Sequence, residues 1–135
     1  MKPLVIYHGN CADGFSAAWC FHHYKKDGYD FHAGVYGKPP PDVTGRIVYL
    51  VDFSYKRAVV EEMLKVADTI TLIDHHKTAV EDLEPLFIKD SWMGEPKQLL
   101  HYCDMERSGA MLAWDYLFNR KFGLNSTLLP VHPEY

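Results

Sequence analysis

No apolar run in this 135-residue chain exceeds five residues, whereas a membrane-spanning helix needs about 20. Ahead of His8 stand one lysine, Lys2, and four apolar residues from Leu4 to Tyr7, too short a stretch for a secretory signal. Cysteine is scarce: there are three, an odd number with no CxxC pair. This excludes a disulfide framework and suits a reducing, cytoplasmic setting. Positive charge is in short supply as well, with 14 Lys and Arg against 18 Asp and Glu for a net charge of −4. A broad nucleic-acid-binding surface is therefore disfavoured, while a local basic patch is not. Repeats and low-complexity tracts are also missing. What is present, 47% hydrophobic and 24% charged residues, is the balance of an ordinary globular domain with one real core.

Three short apolar runs each stop on a carboxylate or a histidine. They are Leu4-Val5-Ile6-Tyr7 before His8, Ile47-Val48-Tyr49-Leu50-Val51 before Asp52, and Ile70-Thr71-Leu72-Ile73 before Asp74-His75-His76. Their length and their β-branched and aromatic content predict buried strands. Helical stretches lie between them, which predicts an α/β fold: a three-layer domain with a mainly parallel β-sheet flanked by helices. Ligands of such sheets bind in the crevice outside the carboxyl ends of the strands. His8, Asp13, Asp52, Asp74, His75 and His76 are thus expected to converge on one edge, in the outline of a metal site.

The pattern predicts a first helix from about Gly14 to Lys26, with Phe15, Ala18, Trp19, Phe21 and His22 as its apolar stripe and Gly28 as its stop. A short strand is expected over Phe31 to Val35, then a stiff loop through Lys38-Pro39-Pro40-Pro41-Asp42. Ser54 is the expected N-cap of a helix from Tyr55 to about Ala67 that turns Ala58, Val59, Met63 and Val66 inward. Ser108 is the expected cap of a last helix carrying Met111, Trp114, Leu117 and Phe118. Trp19, Trp114 and Phe118 read as core. The stretch from Glu81 to Tyr102 is mixed, and after Phe122 the pattern fades through Pro130 and Pro133. The division is residues 1–121 as the domain and 122–135 as a tail or linker.

Carboxylates mixed with imidazoles suit Mn²⁺, Fe²⁺ or Zn²⁺ better than Ca²⁺, which takes oxygen ligands almost alone. Asp52, after a central strand, is placed to lie between two ions; a pair about 3.5–4 Å apart stabilises both the attacking and leaving oxygens of an in-line phosphoryl displacement. His75 would ligate one ion. His76 would contact a phosphate oxygen or protonate the leaving group. Asp74 would either orient His75 or bind metal itself. Asp13-Gly14 and Arg107-Ser108-Gly109-Ala110 open helices, whose free N–H groups suit an anion, and Arg107 adds a fork-shaped donor. The plainer readings are a turn residue at Asp52, a satisfied strand-end histidine at His8 and a structural helix cap at Arg107-Ser108-Gly109. Cys20, His22 and His23 lack a partner pair and read as packing or surface.

The ordered set His8-Gly-Asn10-Cys-Ala-Asp13-Gly14, Val51-Asp52-Phe-Ser54, Asp74-His75-His76 and Glu106-Arg107-Ser108-Gly109-Ala110 resembles the DHH family of phosphoesterases, in the branch with an HGNCxDGFxAAW opening. The resemblance runs over roughly residues 4 to 119. It implies a two-metal site usually filled by Mn²⁺, with Mg²⁺, Fe²⁺ or Zn²⁺ as substitutes, and hydrolysis of phosphodiester or phosphoanhydride bonds. By motif, His8, Asp13, Asp52 and His75 correspond to metal ligands, with Asp52 bridging, and Asp74 is a further candidate ligand. Asp52, Asp74 and His76 correspond to the catalytic set. His76 corresponds to the residue facing substrate, and Asn10, Gly14, Arg107, Ser108 and Gly109 are expected to join it in binding substrate. The implied substrate is a phosphate-containing small molecule, such as a cyclic dinucleotide, or a short single-stranded nucleic acid. Nothing points to a membrane partner, and a homodimer is compatible with the chain.

Two departures from the family pattern stand out. Its first motif often holds two or three carboxylates, whereas only Asp13 is acidic here. A fourth-motif aspartate and a smaller C-terminal substrate-binding domain are expected after the last helix; the later carboxylates are Asp115, inside that predicted helix, and Glu134, one residue from the end, and neither is a convincing replacement. The rival expectation is therefore a degenerate protein that captures a nucleotide or metal without cleavage, or a fragment that needs a partner lobe.

Overall fold

The computed structural model describes residues 1–88, 98–119 and 125–126. In chain order the elements are β1 (Leu4–His8), α1 (Ala12–Tyr24), β2 (Asp30–Gly34), β3 (Ile47–Val51), α2 (Arg57–Val66) and β4 (Thr69–Asp74). There follow α3 (Lys77–Leu83), a 3-10 turn (Glu84–Leu86), β5 (Leu100–Cys103), α4 (Gly109–Phe118) and β6 (Asn125–Ser126). The strands lie in the order β2-β1-β3-β4-β5-β6. The first five are parallel and β6 joins β5 antiparallel. This is the α/β sheet anticipated from the alternating pattern. Apart from β6, the expected tail lies outside the described residues.

Alternation along the strands divides the core into two layers. Leu4, Ile6, Val48, Leu50, Ile70 and Leu72 point to one face and meet Val60, Met63 and Leu64 of α2 and Val80 and Leu83 of α3. Val5, Tyr49, Val51, Ile73 and Tyr102 point to the other and meet Ala17 and Phe21 of α1 and Leu112, Ala113 and Tyr116 of α4. A sheet covered on both faces explains why its strands read as continuous apolar runs. Among the described residues no helix is long and apolar enough to cross a membrane.

The strand order reverses between β1 and β3: the chain leaves β1 toward β2 on one side and leaves β3 toward β4 on the other. Such a reversal opens a crevice at the carboxyl ends of the two strands. His8 ends β1 and Asp52 directly follows β3, so both sit at the mouth of that crevice.

Four local expectations are corrected. First, α2 begins at Arg57 with Lys56 as N-cap, not at Tyr55 with Ser54. Ser54 is buried between Phe53 and Tyr55, whose rings anchor the extended segment in the core. The free N–H of Arg57 is met instead by Asp82 Oδ2 of α3 at 3.0 Å.

Second, α2 turns Val60, Met63 and Leu64 inward, while Ala58 and Val66 are exposed. Both sets share helical spacing, and burying the leucine with Ala67 removes more apolar surface from water.

Third, the left-handed residue after α1 is Asp27, at φ 62°, and not Gly28.

Fourth, Trp19, Trp114 and Phe118 are 49%, 38% and 40% exposed and not core. Helices α1 and α4 lie side by side on one sheet face and bury their smaller stripes, so these rings gather on the outer surface around His23. The His23 ring is stacked on Trp19 at 4.7 Å and lies 5.9 Å from Trp114.

Candidate metal centre

The loop after each central strand contributes one part of the site. Asp52 leaves β3 with a left-handed backbone, φ 54°, a conformation that Asp and Asn adopt more readily than most residues with a side chain. Its N–H donates to Ile73 O at 2.9 Å, tying the turn to β4. The carboxylate is 1% exposed. Asp52 Oδ1 lies 2.8 Å from His75 Nε2, and Oδ2 lies 3.6 Å from Cys11 Sγ. The two oxygens therefore face different neighbours.

Asp74 closes β4 and is fully buried. Its Oδ1 accepts from the His75 N–H at 2.8 Å and lies 2.7 Å from His76 Nδ1. Its Oδ2 is buried with no partner. The ring that Asp74 orients is thus that of His76, while His75 faces Asp52 and approaches Asp13 Oδ2 at 3.4 Å. The two imidazoles lie 4.3 Å apart.

Asp13 of α1 has a second task. Its Oδ2 accepts from Gly109 N at 2.8 Å and its Oδ1 from Ala110 N at 3.0 Å. The carboxylate thus meets the free N–H groups and positive dipole end of α4, a favourable place for a negative charge. Ser108 caps the same helix end, accepting from Met111 N at 3.2 Å, as expected.

Glycine is needed at two positions here because protein atoms come close. A Cβ at Gly14 would lie 2.3 Å from His8 O, and one at Gly109 would lie 2.5 Å from the Asp52 carboxylate. The helix N–H groups and glycines that the sequence assigns to substrate thus also hold the site together. Arg107 pairs with Asp104 at 3.3 Å and with Asp115, which binds the later carboxylate of α4 to a cation. Asn10 is exposed in the β1–α1 loop.

The charge balance favours a cation. Burial pushes the Asp52 carboxyl above its usual range, the Asp13 charge adds to this, and His75 opposes it. The hydrogen bond from Asp74 holds the His76 imidazole above its ordinary value, against the effect of its burial. Among the described residues, two groups have ligand atoms mutually within 4.8 Å: Asp52, Asp74, His75 and His76, and His8, Cys11 and Asp52. Asp52 belongs to both. A buried carboxylate oxygen without a partner beside a repelled carboxyl pair is what a divalent ion would relieve, so the residues fit a metal.

Sequence reasoning overlooked two residues at this edge. Cys11 occupies the first loop between His8 and Asp13, and its position alone was the available signal. Tyr36, just beyond β2, sets its ring 5.3 Å from His8 and 4.8 Å from Phe53. Burial and then the Asp74 and Asp52 charges raise its hydroxyl above the usual value. A strand-end rule applied to β2 as well would have found it.

No protein-family model matches the chain, and no solved structure matches it. Over 134 aligned residues it is 29% identical to "Uncharacterized protein R106" of Acanthamoeba polyphaga mimivirus. That alignment covers 87% of this chain and 30% of the relative, so the chain spans under a third of that protein's length.

Proposed function

We propose that this chain is a metal-dependent phosphoesterase domain of the DHH type, hydrolysing phosphodiester or phosphoanhydride bonds of a nucleotide-type substrate. The observation that carries this reading is the position of Asp52, shared by two groups of metal-ligating side chains at the switch point of a parallel sheet. The order of the sequence motifs agrees with it. Two divalent ions, with Mn²⁺ the first choice and Mg²⁺, Fe²⁺ or Zn²⁺ as substitutes, would supply Lewis-acid stabilisation of phosphoryl oxygens and acidify the attacking water.

The chain's own groups have separable roles in this reading. His8, Asp52, Asp74 and His75 would hold the ions, and Asp13 backs His75 while anchoring α4. His76 is held at Nδ1 by a buried carboxylate and is 43% exposed, so its ring is oriented yet reachable by substrate. Its raised basicity keeps it protonated to higher pH, which suits donation of a proton to the leaving oxygen. Asn10, exposed in the β1–α1 loop, would be open to substrate, whereas the N–H groups of Gly109 and Ala110 are taken by Asp13.

The alternative is a protein that captures a nucleotide without cleaving it. The pairing of Arg107 with Asp104 and Asp115 favours it, because that guanidinium is already engaged.

The test is release of mononucleotide from a short 5′-labelled oligonucleotide with Mn²⁺, together with bound metal per chain. Turnover with two ions supports the enzyme. Tight nucleotide binding with one ion or none, and no turnover, supports capture.

A further inference from the structure

The two ligand groups around Asp52 are chemically unlike. One contains only imidazole and carboxylate, and the other contains a thiol. We infer that Cys11 is a thiolate ligand, acting with His8 and Asp52, to one of the two ions, so that the paired positions differ in softness. The inference rests on the reading that this edge binds divalent cations, and it adds which residue holds one of them and which metals that position prefers.

Several independent observations converge on Cys11. Its Sγ faces Asp52 Oδ2, whereas Oδ1 of the same carboxylate faces His75. One carboxylate thus presents a separate oxygen to each side, as a bridging ligand does. The His8, Cys11 and Asp52 ligand atoms lie within 4.8 Å of one another, which leaves room for an ion at about 2.0–2.3 Å from nitrogen, oxygen and sulfur. Cys11 is the N-cap of the 13-residue α1, and Gly14 N donates to its Sγ at 3.3 Å. The adjoining group contains Asp74, fully buried, with Oδ2 unpartnered.

The neighbouring acid is partly committed elsewhere, since each Asp13 oxygen accepts an N–H group of α4. Nor do the other thiols compete. Cys20 and Cys103 are buried, which raises both, Cys103 to about 12.

A sulfur ligand shifts preference toward Zn²⁺ and Fe²⁺ and away from Mg²⁺ and Mn²⁺, which favour oxygen. The pair of positions would then accept unlike ions, a softer one beside His8 and Cys11 and a harder one beside Asp74 and His75. With the softer position empty, Cys11, the partly exposed one of the three cysteines, would also be the one most open to oxidation.

Co²⁺ is the probe, because thiolate bound to it gives a near-ultraviolet charge-transfer band that carboxylate and imidazole do not. Native protein loaded with Co²⁺ is expected to show that band, with bound cobalt counted by elemental analysis. Cys11→Ser and Cys11→Asp should both lose it. Each keeps a good N-cap, so both should fold, and Cys11→Asp should still bind cobalt. Cobalt bound without the band in native protein overturns the thiolate and leaves the metal centre standing. A band that survives in Cys11→Ser overturns the assignment to Cys11. No bound cobalt in native protein overturns the metal centre and the thiolate together.

Discussion

At Asp52 the backbone and the side chain make opposite demands on stability. The left-handed φ of 54° is one that Asn tolerates as well as Asp. The carboxylate, however, is buried beside Asp13 and Asp74, and its carboxyl is pushed up accordingly. Asp52→Asn is therefore expected to abolish turnover and metal binding while the metal-free variant melts at or above the native protein. Thermal unfolding in chelator measures this; a variant several degrees less stable would show that the charge is needed by His75 even without metal.

Gly109 carries the opposite prediction. Alanine is the better helix former, yet a Cβ there would meet the Asp52 carboxylate at 2.5 Å. Gly109→Ala should cost about 1–3 kcal/mol through overpacking and weaken metal binding. If urea unfolding shows the alanine variant gaining stability, the close approach is not maintained in solution.

At the scale of elements, helix ends are satisfied across the fold as often as within their own segment. The N–H of Arg57 at the start of α2 is met by Asp82 of α3, and those of Gly109 and Ala110 by Asp13 of α1. Asp82→Ala should lower stability by about 1 kcal/mol, the usual cost of a lost cap, with an unchanged dependence on urea and unchanged metal content. A loss of metal from that variant would mean that α2 positions the site, which its place on the opposite core layer does not suggest.

The sequence misjudged α2 for a related reason. Helical spacing relates residues to one another without saying which of two overlapping stripes meets the sheet. Ser54 looked like a cap because it precedes a helix, but Phe53 and Tyr55 on either side of it are drawn into the core.

Over the whole molecule, the aromatic residues fall into two populations. Phe21 and Tyr102 are fully buried, whereas Trp19, Trp114 and Phe118 cluster around His23 on the surface. Phe21→Ala is expected to cost about 3–5 kcal/mol, and Trp114→Ala about 1 kcal/mol or less. Comparable losses in chemical denaturation would place the tryptophan in a buried contact. A bound metal would act at this scale too, because an ion that binds only the folded chain stabilises it by about 2.7 kcal/mol at 100 times its Kd. Loading with Mn²⁺ or Zn²⁺ should raise the melting temperature, and chelation should reverse it.

The parallel sheet, and the polar groups gathered at its carboxyl edge, were legible in the chain. Buried strands need continuous apolar runs, and the polar residues that interrupt them must fall at strand ends. His8, Asp52, Asp74, His75 and His76 therefore declared themselves by position. The tertiary structure alone decided how those groups share their partners. Packing of α1 against α4 draws both Asp13 oxygens to the start of α4, brings Cys11 to the second oxygen of Asp52, and leaves three large rings outside the core. These outcomes depend on contacts between residues as many as 97 positions apart, and local periodicity holds no record of them.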